Sequence, residues 1–167
     1  GKSTRMGTDK AKLMWQGKPL LDHSIAKLIA TGATQIWVSG NYPGYPCIPD
    51  QTPFAGPGRA LSNILRKLPA DSSGALIAPI DMPLLPVAAL HELINHPHGA
   101  FFCTQPLPAY FPNRAPSSNV DSVYAIHNEL GTRELELPIQ WQPYMQNINT
   151  PDHWKLILTN EMDNNRG

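Results

Sequence analysis

The sequence predicts an α/β fold with a mostly parallel central sheet. Segments with the apolar period of an amphipathic helix alternate with short runs of apolar and β-branched residues. One run, residues 74–80, is apolar almost throughout, as expected of a central strand buried on both faces. In such a fold the crossovers are right-handed and ligands bind beyond the carboxyl ends of the strands.

The elements follow one another in a regular order. Pro19 suits the first turn of a helix, and Gly32 is a plausible residue for its end. Glycine- and proline-rich stretches separate the later elements and mark loops. The predicted helices are residues 19–31, 59–68, 86–95, 117–130 and 151–162, the predicted strands are residues 35–39, 74–80, 99–103, 108–111 and 134–137, and residues 40–58 are predicted as a loop.

Composition excludes several classes of protein. The chain has 167 residues, of which 41% are hydrophobic and 16% charged, which is typical of one globular domain. Thirteen basic residues balance thirteen acidic ones, so no charge excess indicates nucleic acid or a membrane surface as a partner. No apolar run approaches the roughly 20 residues that span a bilayer. The only cysteines, Cys47 and Cys103, form no disulfide or zinc pattern, which favours a reduced cytoplasmic setting.

The first ten residues combine small residues with cations. Glycines and small hydroxyl residues let backbone N–H groups approach a ligand closely, and cations attract successive negative charges such as those of a triphosphate. An ordinary solvated turn would explain the same composition. The small residues are Gly1, Ser3, Thr4 and Gly7, and the cations are Lys2, Arg5 and Lys10.

The same segment invites comparison with a P-loop. Gly1-Lys2-Ser3-Thr4 copies the end of that motif, whose lysine reaches the terminal phosphates. A P-loop requires a helix to start at the lysine. Gly7 falls in what would be the first turns, and no apolar period follows, so the sequence disfavours this interpretation.

An aspartate follows the most apolar run of the chain. Asp81 comes at the predicted carboxyl edge of the strand, and Mg²⁺ commonly binds through one or two carboxylates together with substrate phosphates. This position predicts a metal ligand. The alternative is a turn or helix-capping aspartate before Pro83.

Weaker signals lie elsewhere in the chain. Gly56-Pro57-Gly58 precedes a predicted helix, where it forms either an anion-binding loop or a simple turn. Asn147 and Asn149 lie on one side of an extended segment, where they bind polar ligand edges or cap the last helix. The six histidines have no ligand-like spacing, so we interpret them as structural or surface residues.

Taken together, these segments resemble the molybdenum cofactor guanylyltransferase family, within the glycine-rich-loop nucleotidyltransferases. The family pattern Leu-Ala-Gly-Gly-x-Ser-x-Arg-Met-Gly-x-Asp-Lys is matched from its second glycine onward, which is Gly1 here. The resemblance implies a three-layer Rossmann-like nucleotidyltransferase fold in one domain over residues 1–167, with a first strand expected before residue 1. Further matching positions are Asn41, Asp50, Gly56-Pro57, Asp81-x-Pro83 and Asn147-x-Asn149-Thr150-Pro151.

The resemblance also implies residue roles. Arg5, Lys10 and Asp81 would be catalytic, with Asp81 holding Mg²⁺, and Asn147 and Asn149 would face molybdopterin. The implied nucleotide-binding residues are Gly1, Lys2, Ser3, Arg5, Gly7, Lys10, Asn41, Asp50, Gly56 and Asp81.

The implied reaction is transfer of GMP from GTP to molybdopterin or its molybdenum form, with release of pyrophosphate. Transient contacts with other molybdenum cofactor biosynthesis proteins or molybdoenzyme chaperones are further implied partners, and nucleic acid and membrane are not. One departure leaves alternatives open, because the family often has Gly-Pro-Leu-x-Gly where this chain has residues 56–60 as Gly-Pro-Gly-Arg-Ala. The alternatives are a related cytidylyl- or sugar-phosphate nucleotidyltransferase and a non-catalytic nucleotide- or cofactor-binding homologue.

Overall fold

The computed structural model describes residues 9–49, 56–117 and 120–164, with side chains described up to residue 158. The predicted site residues Gly1, Lys2, Ser3, Arg5, Gly7 and Asp50 lie outside these described residues. In chain order the elements are β1 (Met14–Trp15), β2 (Lys18–Pro19), α1 (Leu20–Ala30), β3 (Val38–Ser39), β4 (Cys47–Ile48), α2 (Pro57–Leu65), β5 (Gly74–Ile77), α3 (Val87–Ile94), β6 (Ala100–Phe102), β7 (Gln105–Pro112), α4 (Val123–Leu130), β8 (Arg133–Leu135) and α5 (Pro151–Asn164), with 3-10 turns at Lys10–Lys12 and Gln142–Tyr144.

The central sheet is mixed, with strand order β5-β7-β6-β8. Strand β7 is antiparallel to both of its neighbours, whereas β6 and β8 are parallel. Three of the four strands therefore run in one direction, as predicted, and the α/β class is confirmed. The sequence did not indicate that β6 and β7 form a hairpin, whose two-residue turn at Cys103 and Thr104 can join only antiparallel strands.

A second, two-stranded sheet lies in a segment predicted as loop. Strands β3 and β4 are parallel, with Val38 opposite Cys47 and Ser39 opposite Ile48. The prediction of an uninterrupted loop over residues 40–58 was therefore wrong. Strand β4 is only two residues long and lies between prolines, so it is too short to show an alternating pattern.

Helices cover both faces of the central sheet, which gives the predicted three layers. Adjacent phenylalanines of β6 point to opposite faces, as expected for a strand. Phe102 packs with Leu90 and Leu93 of α3, and Phe101 packs on the other face with Leu61 of α2 and Ile126 of α4. No helix among the described residues is long and apolar enough to cross a membrane.

Strand β5 differs from its prediction in length and burial. It ends at Ile77, and all residues from 74 to 80 are only half-buried. Within the described part of the chain, β5 pairs with β7 alone, so it is an edge strand. The expectation of a strand over residues 74–80 buried on both faces was therefore wrong, because one side of this apolar run borders a cleft.

The glycine that departs from the family pattern has a packing role. Helix α2 begins at Pro57, and a Cβ atom built on Gly58 would lie 2.5 Å from backbone atoms of Asp121 and Ser122. Ser122 caps α4 by accepting a hydrogen bond from the N–H of Ala125, so α4 begins six residues after its predicted start at residue 117. The start of α4 thus contacts α2 closely enough to require glycine.

Candidate functional site

Three predicted site residues from distant parts of the chain contact one another. The Lys10 Nζ donates a hydrogen bond to Asp81 Oδ2 at 2.9 Å and another to Asn149 Oδ1 at 3.2 Å. The Lys10 and Asp81 side chains are 18% and 25% exposed, so the pair is accessible from one side only. A cation, a carboxylate and an amide therefore form one polar centre, which we call the Lys10 centre.

The backbone around Lys10 is fixed by local contacts. Asp9 caps the 3-10 turn, because its Oδ1 accepts a hydrogen bond from the N–H of Ala11 at 3.1 Å. The hydroxyl of Tyr42 donates to the same carboxylate at 3.3 Å. Ala11 is buried, so the turn is anchored on one side while the Lys10 side chain extends towards Asp81.

Asp81 and Asn149 are held together by their neighbours. The N–H of Ile148 donates to the backbone oxygen of Asp81 at 2.8 Å. Ile148 and Met82 are almost fully buried, which anchors both segments in the core beside the exposed polar side chains. The sequence left open whether the asparagines cap the last helix. The Thr150 hydroxyl does so by accepting from the N–H of His153, and Asn149 faces Lys10 instead.

Sequence reasoning missed a lysine behind the Asp81 segment. Lys27 of α1 donates a hydrogen bond to the backbone oxygen of Pro83, and its Nζ lies 5.9 Å from the centre of the Trp15 ring. Burial lowers the pKa of Lys27 to about 8. Lys27 lies two turns after the buried Leu20 on the same helix face, and a cation on an apolar face was the available signal.

A large cavity opens beside the Lys10 centre. Its volume is about 1250 Å³, and Asp9, Lys10, Asp81 and Asn149 are among its lining residues. Three other predicted residues, Asn41, Gly56 and Asn147, are exposed but do not line this cavity. The structure therefore brings together part of the predicted site and leaves the rest apart.

The described residues fit a magnesium ion that is completed by substrate. No group of three or more histidine, cysteine or acidic residues suited to a metal occurs in the part of the chain that the structure describes. Asp81 nevertheless offers a partly exposed carboxylate, of which Oδ2 is paired with Lys10, and Asn149 offers an amide oxygen nearby. This donor set suits Mg²⁺, which usually takes one or two protein carboxylates and fills its other positions with phosphate oxygens and water.

The one fully buried histidine has a structural role, as predicted. His127 stacks between Phe101 and Phe111, with ring centroids 3.8 and 4.8 Å away. Its Nε2 donates to the backbone oxygen of Pro106 at 2.9 Å, and Nδ1 lies 2.7 Å from the Thr132 hydroxyl oxygen. Burial lowers the pKa of His127, so the ring is neutral in the folded chain near neutral pH.

Comparison with known proteins agrees with this fold. A model of the MobA-like NTP transferase domain matches residues 1–136. The chain is 32% identical to the molybdenum cofactor guanylyltransferase of Xanthomonas euvesicatoria, over 98% of this chain and 93% of that protein. Over 60 residues it is 43% identical to a probable molybdenum cofactor guanylyltransferase of Deinococcus radiodurans, covering 34% of this chain and 31% of that protein.

Two solved structures share the fold. Rv0371c from Mycobacterium tuberculosis superposes with a TM-score of 0.67 and 17% identity, covering 95% of this chain and 94% of that one. Molybdopterin-guanine dinucleotide biosynthesis protein A from Archaeoglobus fulgidus gives a TM-score of 0.58 and 18% identity, covering 93% and 91%. Fold and relatives define the chain as a nucleotidyltransferase. Within that class it belongs to the MobA-like NTP transferase family, which confirms the resemblance drawn from the sequence.

Proposed function

We propose that this chain is a magnesium-dependent molybdenum cofactor guanylyltransferase, which transfers GMP from GTP to molybdopterin or Mo-molybdopterin. The observation that carries the proposal is the Lys10 centre, in which a cation bridges a carboxylate suited to Mg²⁺ and an amide. The named relative that matches nearly the whole chain supports this substrate pair.

The chemistry requires an in-line displacement at phosphorus. An oxygen of the acceptor's phosphate forms a bond to the α-phosphorus of GTP, and the bond from that phosphorus to the bridging oxygen breaks, so pyrophosphate leaves with the electron pair. No protein nucleophile is needed, and positioning and charge stabilisation provide most of the rate increase. Asp81 would hold Mg²⁺, and the ion would supply positive charge against the phosphate oxygens as negative charge develops there.

Lys10 is the residue that we propose stabilises that charge. Its ammonium group is fixed by two acceptors and retains a third N–H that can donate to a phosphate oxygen. Because the donor is oriented before substrate binds, little reorganisation is needed in the transition state. Arg5 and the glycine-rich residues Gly1 to Gly7 are proposed to hold the rest of the triphosphate.

Asn149 links the two proposed substrate sites. Its amide oxygen accepts a hydrogen bond from the Lys10 ammonium group. Molybdopterin bound at Asn149 would therefore lie next to the cation that is proposed to hold the nucleotide phosphates. We assign the molybdopterin side to Asn147 and Asn149, and the nucleotide side to Asn41, Asp50 and Gly56. The proposed setting is cytoplasmic, with transient contacts to other molybdenum cofactor proteins or molybdoenzyme chaperones.

A product assay with each nucleotide tests the function. The protein is incubated with Mg²⁺, molybdopterin and one nucleoside triphosphate at a time, then pyrophosphate is measured and the product identified. Release with GTP alone supports the proposal, and a preference for CTP indicates the related cytidylyltransferase. Nucleotide binding without release indicates a non-catalytic homologue.

Two substitutions test the proposed residues. Lys10→Ala and Asp81→Asn should each lower turnover by at least about 100-fold, because the first removes a cation directed at the reacting phosphates and the second removes the carboxylate charge proposed to hold Mg²⁺. Lys155→Ala and Asp121→Asn are matched controls, since these side chains are 76% and 79% exposed in surface ion pairs. Both controls should keep turnover, and near-normal turnover of Lys10→Ala or Asp81→Asn would overturn the residue assignment.

A further inference from the structure

The connection between β3 and β4 reaches the 3-10 turn that carries Lys10 through one side chain, Tyr42. Its ring packs against the buried apolar cluster that contains Ala11, the second residue of the turn. Its hydroxyl donates a hydrogen bond to Asp9 Oδ1 at 3.3 Å, although the two residues are 33 positions apart in the chain. A segment distant in sequence therefore contacts both the cap and the buried residue of this turn.

Tyr42 is itself fixed by the connection to which it belongs. Its N–H donates to Cys47 Sγ at 3.3 Å, and the Cys47 thiol donates to the Tyr42 backbone oxygen at 3.4 Å. The N–H of Tyr45 donates to the same oxygen at 3.1 Å. Gly40 has a φ of 114°, and a Cβ atom built there would lie 3.2 Å from Cε2 of the Tyr42 ring. Backbone and ring are thus both held, so the hydroxyl has a defined position.

The cap of the turn gains from a second donor. Asp9 is exposed, and only some rotamers of an aspartate can cap the turn that follows it. Its Oδ1 accepts from both the N–H of Ala11 and the hydroxyl of Tyr42, so the second hydrogen bond favours the capping rotamer. Asp9, Lys10 and Tyr42 all line the same cavity. The rotamer of Asp9 therefore also decides where a negative charge lies beside the proposed phosphate site.

We propose that Tyr42 is a positioning residue, which acts through Asp9 on the turn that carries Lys10. From this turn the Lys10 ammonium group reaches Asp81 and Asn149. The inference rests on the proposed function, in which that ammonium group binds phosphate oxygens. A looser turn leaves the ammonium group less often in place, so phosphate affinity falls without Tyr42 contacting the phosphates.

Tyr42→Phe and Tyr45→Phe form a matched pair of variants. Both tyrosines belong to the β3–β4 connection, pack against the same cluster and donate their hydroxyl to an aspartate. The Tyr45 hydroxyl, however, bonds Asp22 of α1 at 2.6 Å, and Tyr45 does not line the cavity beside the Lys10 centre. Each replacement removes one oxygen and keeps the ring, so the pair differs in which aspartate loses its donor.

Binding of inorganic triphosphate with Mg²⁺ measures phosphate affinity without requiring turnover. In titration calorimetry Tyr42→Phe should weaken this affinity about 5- to 10-fold, because one hydrogen bond to a charged group is lost from the support of the turn. Tyr45→Phe should leave the affinity within about twofold of the natural chain.

Hydrogen exchange reports on the turn itself. The N–H groups of Lys12 and Leu13 bond the backbone oxygens of Asp9 and Lys10 within the turn. Their exchange should become at least about threefold faster in Tyr42→Phe, since the turn opens more often. Unchanged exchange would mean that the hydroxyl does not support the turn, and overturns the proposal.

A Lys10→Ala background separates positioning from direct contact. There Tyr42→Phe should cost no further triphosphate affinity, because the cation that it positions is gone. An equal loss in both backgrounds means that Tyr42 contacts the phosphates itself, and overturns the proposal. Faster exchange with unchanged affinity overturns it as well, because Tyr42 then has a structural role only.

The natural chain distinguishes failure of this inference from failure of the proposed function. If it binds triphosphate no more tightly than Lys10→Ala, the phosphate-binding role proposed for Lys10 fails, and the role of Tyr42 fails with it. If it binds triphosphate more tightly than Lys10→Ala but no more tightly than Tyr42→Phe, only the inference about Tyr42 is overturned.

Discussion

Replacing Gly58 by alanine sets two effects of known size against each other. Gly58 is the second residue of α2, where alanine gains at most the about 1 kcal/mol over glycine that it has in a helix interior. At Gly58 the added Cβ atom would lie 2.5 Å from the carbonyl carbon of Asp121 and the nitrogen of Ser122, and 2.6 Å from the backbone oxygen of Val120. Real Cβ atoms essentially never approach this closely, and these neighbours are backbone atoms that cannot rotate away.

The steric effect should exceed the helix propensity. Overpacking of a well-packed site costs about 1–3 kcal/mol, and relief here requires α2 to move away from α4. Subtracting the propensity gain of about 1 kcal/mol, we expect Gly58→Ala to lower the free energy of unfolding by up to about 2 kcal/mol. For a domain of this size, 2 kcal/mol corresponds to a melting temperature about 4–8 °C lower.

Thermal and urea unfolding of the variant measure this difference. Arg59→Ala is the matched control, because the Arg59 side chain is 49% exposed and its ion-pair partner Asp121 is 79% exposed. The control should change stability by less than about 1 kcal/mol. A Gly58→Ala variant more stable than the natural chain would refute the close contact, since propensity alone would then decide the outcome.

Two further predictions concern buried groups. The pKa of His127 is lowered by burial, so the unfolded chain binds its proton more readily, and the free energy of unfolding should fall by up to about 1.4 kcal/mol per pH unit as the pH drops below about 6.5. Urea unfolding between pH 5.5 and 7.5 measures this slope. His127→Gln should reduce the slope, and an unchanged slope in the variant would contradict the prediction. Lys27→Met leaves the Pro83 oxygen without its donor, two residues after the proposed Mg²⁺ ligand Asp81. The Mg²⁺ concentration for half-maximal turnover should therefore rise about 5- to 10-fold. Lys27→Arg should restore part of the Mg²⁺ affinity. If Lys27→Met changes the melting temperature but not the Mg²⁺ dependence of turnover, Lys27 has a structural role only.

The sequence predicted those parts of the site that depend on local chemistry. Lys10 and Asp81 were identifiable because a cation in a glycine-rich segment and a carboxylate after an apolar run each have a plain chemical use. Both were expected near the ligand, since ligand-binding residues gather at the carboxyl ends of strands, but their direct contact is known only from the structure. Asn149 could have been either a ligand-binding residue or a cap, and only the contact with Lys10 separates the two.

Other features depend on tertiary contacts that no local pattern records. The hairpin of β6 and β7 looks like two ordinary strands in the sequence, because direction is decided by a two-residue turn. Lys27 stands out in the sequence only as a cation on an apolar helix face, and its partner Pro83, 56 residues away, is known only from the fold. The need for glycine at residue 58 likewise arises from α4, which is more than 60 residues further along the chain.

The backbone hydrogen bond from Ile148 to Asp81 has a thermodynamic consequence. It joins the segment that carries the carboxylate to the segment that carries Asn149, and both are anchored in the core. A displacement of one segment must therefore stretch this bond or carry the other segment along. If a ligand bound at one segment changes the affinity for a ligand bound at the other segment, the second ligand must change the affinity for the first by the same factor, because linkage is reciprocal.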